Sequence, residues 1–272
     1  VKSGKSVTKS AAGSTAVYTQ YIQGALLPVG LLLAWQISAA GGHLPEYLTS
    51  PMAIVQAFVE LFKGGDLVKA FWASSYRVYT GFGIGAGAGL LLGLGAGLWT
   101  PLRNFFDPLV SFLYPIPKIA FLPVFLLLFG LGHSLIIATI ALSVFFPVFI
   151  SSRYSVMSIN PRFAWAAQNM GASAGTIFFR VIIPASAPQT FVGLRVGLSM
   201  SFVLLFSTEL ISAQAGFGYL INQGDEAGRY DIMFAGIAAF AVLGFISDRI
   251  LMLIRRRALR GQTIGTSEGF QR

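Results

Sequence analysis

No cysteine occurs among the 272 residues, and His43 and His133 are the only histidines. Disulfides, thiol catalysis and cysteine-ligated metals are thereby excluded, and a zinc site has almost nothing to be built from. Charge is scarce as well. Only 11% of residues are Asp, Glu, Lys or Arg, against about a quarter in a soluble domain. What fills the chain instead is apolar: 55% of residues are hydrophobic and the mean hydropathy is +0.71. This composition defines an integral membrane protein before any motif is read.

Spanning helices need ~20 largely apolar residues, and six stretches qualify: 24–41, 67–99, 105–131, 133–157, 184–213 and 231–254. The polar, basic start at 1–23 reads as a flexible tail. The apolar run after it is too long for a signal-peptide core, so a retained first helix is expected. The run at 67–99 is longer than a bilayer requires, so its front half, "DLVKAFWASSYRVYTG", is expected to project or lie along the interface. Ahead of it, "SPMAIVQAFVELFKGG" has apolar residues at helical spacing behind a Ser-Pro start, the pattern of a short amphipathic helix.

The formal charge of +9 suggests nucleic acid until its distribution is examined. With the N-terminus in the cytoplasm, thirteen of the nineteen basic residues fall on the cytoplasmic side, including Arg153, Arg162, Arg180 and the 255–272 tail. Lys63, Lys69, Arg77 and Arg229 fall outside, and Lys118 and Arg195 within the membrane. The excess charge is therefore a topology signal, and nucleic acid is not an expected partner.

Gly81, Gly85, Gly89, Gly93 and Gly97 recur every fourth residue, giving one helix face almost free of side chains. A neighbouring helix can approach such a face closely. A phosphate-binding loop would need a strand ahead of it, and none is indicated. Whether the neighbour belongs to the same subunit or another stays open at this point. The third stretch carries Pro108, Pro115, Pro117 and Pro123, each of which removes a helical hydrogen bond. Broken backbone at membrane depth is tolerated where it lines protein or a water-filled cavity, so Pro115 and Pro117 mark a candidate pathway.

Between two apolar runs lies "INPRFAWAAQNMGASAGTIFFRVIIP", residues 159–184. Asn160 and Pro161 form an N-cap and first turn. Gly171 is placed to end the first short helix in the left-handed conformation, and a second runs over roughly 173–182. Ala166, Ala167, Gly171, Val181, Ile183 and Pro184 resemble the "EAA" loop of ABC importer permeases, whose pattern is roughly E-A-A-x3-G-x9-I-x-L-P. "YPIPKIAFLPVFLLLFGLG", "GLRVGLSMSF" and "TELISAQAGFGYLI" are similar to the nitrate/sulfonate/taurine/bicarbonate branch, and the likeness runs from about residue 26 to 254.

The resemblance implies an all-α, six-helix, type I (MetI-like) permease in the bacterial inner membrane, with both termini cytoplasmic and a transmembrane domain over 24–254. It also implies a second permease subunit, expected to be an identical copy, two cytoplasmic ATPases that hold ATP and Mg, and an external solute-binding protein. The chain itself is expected to bind no cofactor or metal and to catalyse nothing. "GKS" at 4–6 lacks the preceding glycine and strand of a P-loop. The coupling loop, 158–183, is expected to act through Trp165, Ala166, Ala167, Gly171 and Ala172. Trp165 stands where the family has glutamate. It either anchors an apolar contact with the ATPase or packs against the chain's own spans or the membrane interface.

Ionisable residues at membrane depth are costly and usually paired or functional. Lys118 is expected either to face a cavity and attract an anion or to satisfy backbone carbonyls at the kink. Arg195 is a candidate pathway residue, with a structural role favoured over contact with the solute. Glu209, with Gly216 and Gly218, is expected to brace the external loop that meets the binding protein. His133 reads as a structural turn residue. An ion-coupled carrier would need carboxylates at mid-membrane and leaves the loop unexplained. A membrane enzyme would need a catalytic set that the spans lack.

Overall fold

The computed structural model describes residues 12–42, 45 and 47–260, with side chains from residue 26 onward. His43, Glu46, most of the 255–272 tail and the first eleven residues lie outside that description. The chain is all-helical among the described residues: α1 (Ala12–Ala40), α2 (Pro51–Gly64), α3 (Asp66–Leu98), α4 (Thr100–Leu113), α5 (Leu122–Phe129), α6 (His133–Met157), α7 (Pro161–Asn169), α8 (Ala174–Ile177), α9 (Ile183–Ser212), α10 (Phe217–Glu226) and α11 (Tyr230–Ala258). Residues 12–23, expected as tail, are helical; the stretch holds one glycine near its start and no proline to interrupt a turn.

Among the described residues, four helical stretches are long and apolar enough to cross a membrane: α3, 174–212, α6 and α11. The expected third span is not one helix. α4 and the 118–129 segment meet at a bend of 95°, because Pro115 and Pro117 deny the backbone a continuous ladder. At the first expected span lies only the shorter apolar stretch Leu26–Ala40 within α1, so that with the bent pair counted as one span the described residues offer up to five of the six expected. α2 starts as its sequence dictates: the Ser50 hydroxyl accepts from Ala53 N at 3.2 Å with Pro51 in the first turn. Gly65, at φ +81°, then turns the chain into α3.

The front half of α3 does not project. Leu67, Ala70, Ser74, Arg77 and Val78 are buried, and Leu67 and Ala70 share a core with Ala57 and Leu61 of α2, Phe217 and Leu220 of α10, and Ala239 of α11. A second core joins α3, α6 and α9 through Val78, Ala86, Ile140, Val144, Val148 and Leu205.

The glycine face of α3 lies on α6 of the same chain. A Cβ on Gly81 would stand 2.8 Å from Ile140 Cβ, on Gly93 2.6 Å from the Phe149 carbonyl oxygen, and on Gly97 2.6 Å from Val156 Cβ. The two four-residue ridges run side by side with their backbones nearly touching, as small-residue faces permit. The question left open by the sequence is thus settled: this face is consumed within one subunit.

Candidate functional site: an exposed loop, a broken span and a buried ion pair

Residues 158–183 form a helix–turn–helix at one end of α6 and α9. The Asn160 side chain accepts from Arg162 N at 3.0 Å and caps α7. Gly171 takes φ +79° after α7, and Ser173 caps α8 by accepting from Thr176 N at 3.3 Å. Phe178–Ile182 then forms one wide turn leading into α9. No residue of α7 is buried. Trp165 is 59% exposed, and Phe163, Met170 and Phe179 are more exposed still. More than half of Trp165 is thus left uncovered by its own chain. Ala166 is exposed and Ala167 and Ala172 are half-buried, so the small residues leave the backbone of the knob accessible.

At the α4–α5 break, Pro115, Pro117 and Lys118 come together. They line a cavity of about 330 Å³ with Tyr114, Ser143, Phe146, Met200 and Leu204. Lys118 is the only charged residue in that lining. Its ammonium donates to the carbonyls of Leu113 (2.9 Å), Tyr114 (2.8 Å) and Ile116 (2.7 Å) and lies 4.4 Å from the Phe146 ring centroid. All three N–H donors are thus committed. Of the two readings of Lys118, the structure realises carbonyl satisfaction: the lysine closes the C-terminal end of α4 where the ladder stops.

Arg195 does not join this cavity. It is 52% exposed at the side chain and clasps Asp248 of α11, Nε to Oδ1 at 2.8 Å and Nη2 to Oδ2 at 3.2 Å. This geometry supports the structural reading of Arg195: a bidentate carboxylate partner holds the guanidinium away from the cavity. Asp248, which sequence reasoning passed over, was the signal that could have shown it.

Glu209 proves to be the centre of a buried network at the opposite end of α9 from the 158–183 loop. Its carboxylate meets Arg77 Nη1 at 2.7 Å, with side-chain exposures of 0% and 3%. It also accepts from Ser74 Oγ at 2.9 Å and from Gly218 N at 3.0 Å. Arg77 continues to the Ala215 carbonyl and, through Nε, to His133 Nδ1 at 3.1 Å. Ser74 Oγ in turn accepts from Phe217 N at 3.0 Å.

The 213–216 turn closes over this carboxylate. A Cβ on Gly216, at φ +120°, would stand 2.5 Å from Glu209 Oε1, and one on Gly218 2.5 Å from Glu209 Cβ. Glu209, Gly216 and Gly218 are buried, so they shape the loop from beneath and do not supply its outer surface. Arg77, expected outside the membrane, is a buried partner. A lone carboxylate in an apolar run demands a counter-ion, and that demand was the clue to Arg77.

Comparison with known proteins identifies the family. Residues 85–260 match the family described as "Binding-protein-dependent transport system inner membrane component". A putative aliphatic sulfonates transport permease, SsuC of Bacillus subtilis, is 32% identical over 241 residues, covering 88% of this chain and 87% of that one. The taurine transport system permease TauC of Escherichia coli is 29% identical over 236 residues, covering 85% and 86%. A solved chain of the MetNI methionine ABC transporter shares the fold at a TM-score of 0.61 and 17% identity, over 71% of this chain and 95% of that one. The chain belongs to the family of inner membrane components of binding-protein-dependent transport systems. It is a multi-pass ABC importer permease, in the branch that includes sulfonate and taurine permeases, and that family implies ATPase and binding-protein partners.

Proposed function

We propose that the chain carries a small anionic solute, of the class of nitrate, bicarbonate, taurine or another sulfonate, from an external binding protein into the cytoplasm by alternating access. The observation that carries the coupling part of this reading is the exposed α7–α8 knob, whose Trp165, Phe163 and Met170 touch nothing of their own chain that buries them. In a homodimer, two such knobs dock on two ATPases that hold ATP and Mg, and closure of the ATPases moves the spans. Trp165, Ala166, Ala167, Gly171 and Ala172 form the contact. On this reading α1 serves as the first of six spans and the broken pair as one, with both termini and the knob in the cytoplasm, an orientation that the distribution of basic residues supports.

The anionic assignment is supported by the sulfonate and taurine relatives and by the cavity at the α4–α5 break, where Lys118 is the one charge. With its donors spent on carbonyls, Lys118 offers a field and not a clamp. Selectivity then rests mainly with the binding protein, and the cavity passes what is delivered. The test is reconstitution in vesicles with the ATPase and binding protein, measuring uptake of labelled taurine, an alkanesulfonate, nitrate and bicarbonate. ATP-dependent uptake of at least one is expected; uptake that survives removal of the ATPase overturns the reading.

A further inference from the structure

The buried network has one exposed corner. Ser74, Arg77, Glu209, Phe217 and Gly218 are enclosed and Ala215 is half-buried, but His133 is exposed at the first residue of α6. Its Nδ1 accepts from Arg77 Nε, which requires a lone pair on that nitrogen and hence a neutral ring. Protonated imidazole has two N–H donors and no acceptor. It would also set a second cation against Arg77.

Arg77 is then held by fewer partners while it is the only link to the Ala215 carbonyl. The groups facing His133 are few. α3 supplies Arg77 and Tyr76, the latter edge-to-face at 5.6 Å. α9 supplies Glu209 behind Arg77. α5 and the 130–132 turn carry no ionisable side chain, and Lys118 lies against Phe146, thirteen residues further along α6 and so ~20 Å away.

We propose that Arg77 is a positioning residue for transport, holding the 213–216 turn and α10 against α3 and α9, and that protonation of His133 acts through Arg77 to release them. The consequence for transport rests on the permease reading; the release itself does not. Glu209 and Ser74 stand in for a cap on α10, satisfying Phe217 N and Gly218 N. Drawing Arg77 toward or away from His133 therefore moves the first turn of α10 with the carboxylate. The face affected is opposite the coupling loop, where a solute delivered from outside would enter.

The absence of cysteine allows a direct test on the full chain. A single Gln214→Cys substitution places a spin label on the exposed residue of the turn, and its mobility is read in lipid vesicles from pH 8 to pH 5. The label is expected to become more mobile as the medium is acidified. With His133→Gln, which stays neutral and keeps an acceptor for Arg77, the label should remain immobile throughout. With Arg77→Lys, which keeps the charge but cannot reach carboxylate, carbonyl and imidazole together, mobility should be high at every pH.

A second reading uses the permease with its ATPase and binding protein. The acid limb of the uptake profile should vanish in His133→Gln while uptake at pH 8 stays at the wild-type level. A wild-type label indifferent to pH, or an acid response that survives His133→Gln, overturns the latch. A pH-responsive label with no ATP-driven uptake would leave the latch standing as a conformational device and overturn its role in transport.

Discussion

Gly89 and Phe145 meet backbone to backbone: a Cβ on Gly89 would stand 2.8 Å from the Phe145 carbonyl oxygen and 2.9 Å from Val148 Cβ. Neither neighbour can rotate away, because one is main chain and the other is fixed to it. Gly83 and Gly87, on other faces of the same helix, have nothing within 4 Å.

The contrast gives a prediction within one helix. Gly89→Leu should force α3 from α6, costing about 1–3 kcal/mol or more through overpacking, with a lowered Tm and loss of monodisperse protein in detergent. Gly83→Ala and Gly87→Ala should leave Tm unchanged or raise it, since alanine is favoured over glycine in a helix interior by roughly 0.5–1 kcal/mol. Similar effects at all three positions would mean that the α3–α6 contact is not what these glycines serve.

Arg77 and Glu209 predict a strongly non-additive pair. Removing either partner leaves a buried charge uncompensated, at about 3–5 kcal/mol. Arg77→Met and Glu209→Met together remove both charges and should be milder than the two single effects combined. A double-mutant cycle on thermal or denaturant unfolding measures this. Additive losses would show that the 2.7 Å contact contributes no coupling.

Lys118 and Arg195 are expected to separate stability from transport. Lys118→Met strips three carbonyls of a charged donor, each such bond being worth about 1.5–3 kcal/mol, and should lower Tm with its main cost at the α4–α5 corner. If Lys118 served chiefly to hold an anion, Tm would hold and the KM for uptake would rise instead. Arg195→Ala should change neither the KM nor the choice of solute, because the guanidinium is engaged by Asp248 away from the cavity. A solute-specific rise in KM in that variant would restore Arg195 to the pathway.

Local rules carried much of this fold. The Asn160–Pro161 start, the Gly171 stop and the Ser50–Pro51 start are decided within a few residues, and each was legible where it stood. The four-residue glycine period announced a close helix contact, because that period is set by the helix itself. What it could not name was the partner, since α6 offers Val144, Phe145 and Val148 without any matching mark. The same holds for the network: Ser74 and Glu209 lie 135 positions apart, and nothing local to either says that the other will arrive. The 95° corner exceeds what four prolines imply, because its angle depends on where Lys118 ties the freed carbonyls. Gly216 and Gly218 were legible as special, but their purpose is visible only with Glu209 beneath them.

Trp165 supplies the remaining prediction. Its ring is 59% exposed on a helix that packs little against its own chain, so Trp165→Ala should leave the Tm of the isolated permease unchanged. An aromatic anchor that fills an apolar pocket on a partner commonly costs at least about 2 kcal/mol when truncated, roughly a thirtyfold loss in affinity. Retention of the ATPase through purification in detergent should therefore fall sharply, and ATP turnover by the complex with it. Trp165→Phe should recover most of both, since the pocket needs apolar bulk and not the indole N–H. Because no acidic residue occurs between 158 and 183, the attachment is expected to survive salt better than one resting on a carboxylate. Unchanged assembly and turnover in Trp165→Ala would dispose of the anchoring role, and a strongly salt-sensitive complex would point instead to Arg162 and Arg180 as the groups that hold it.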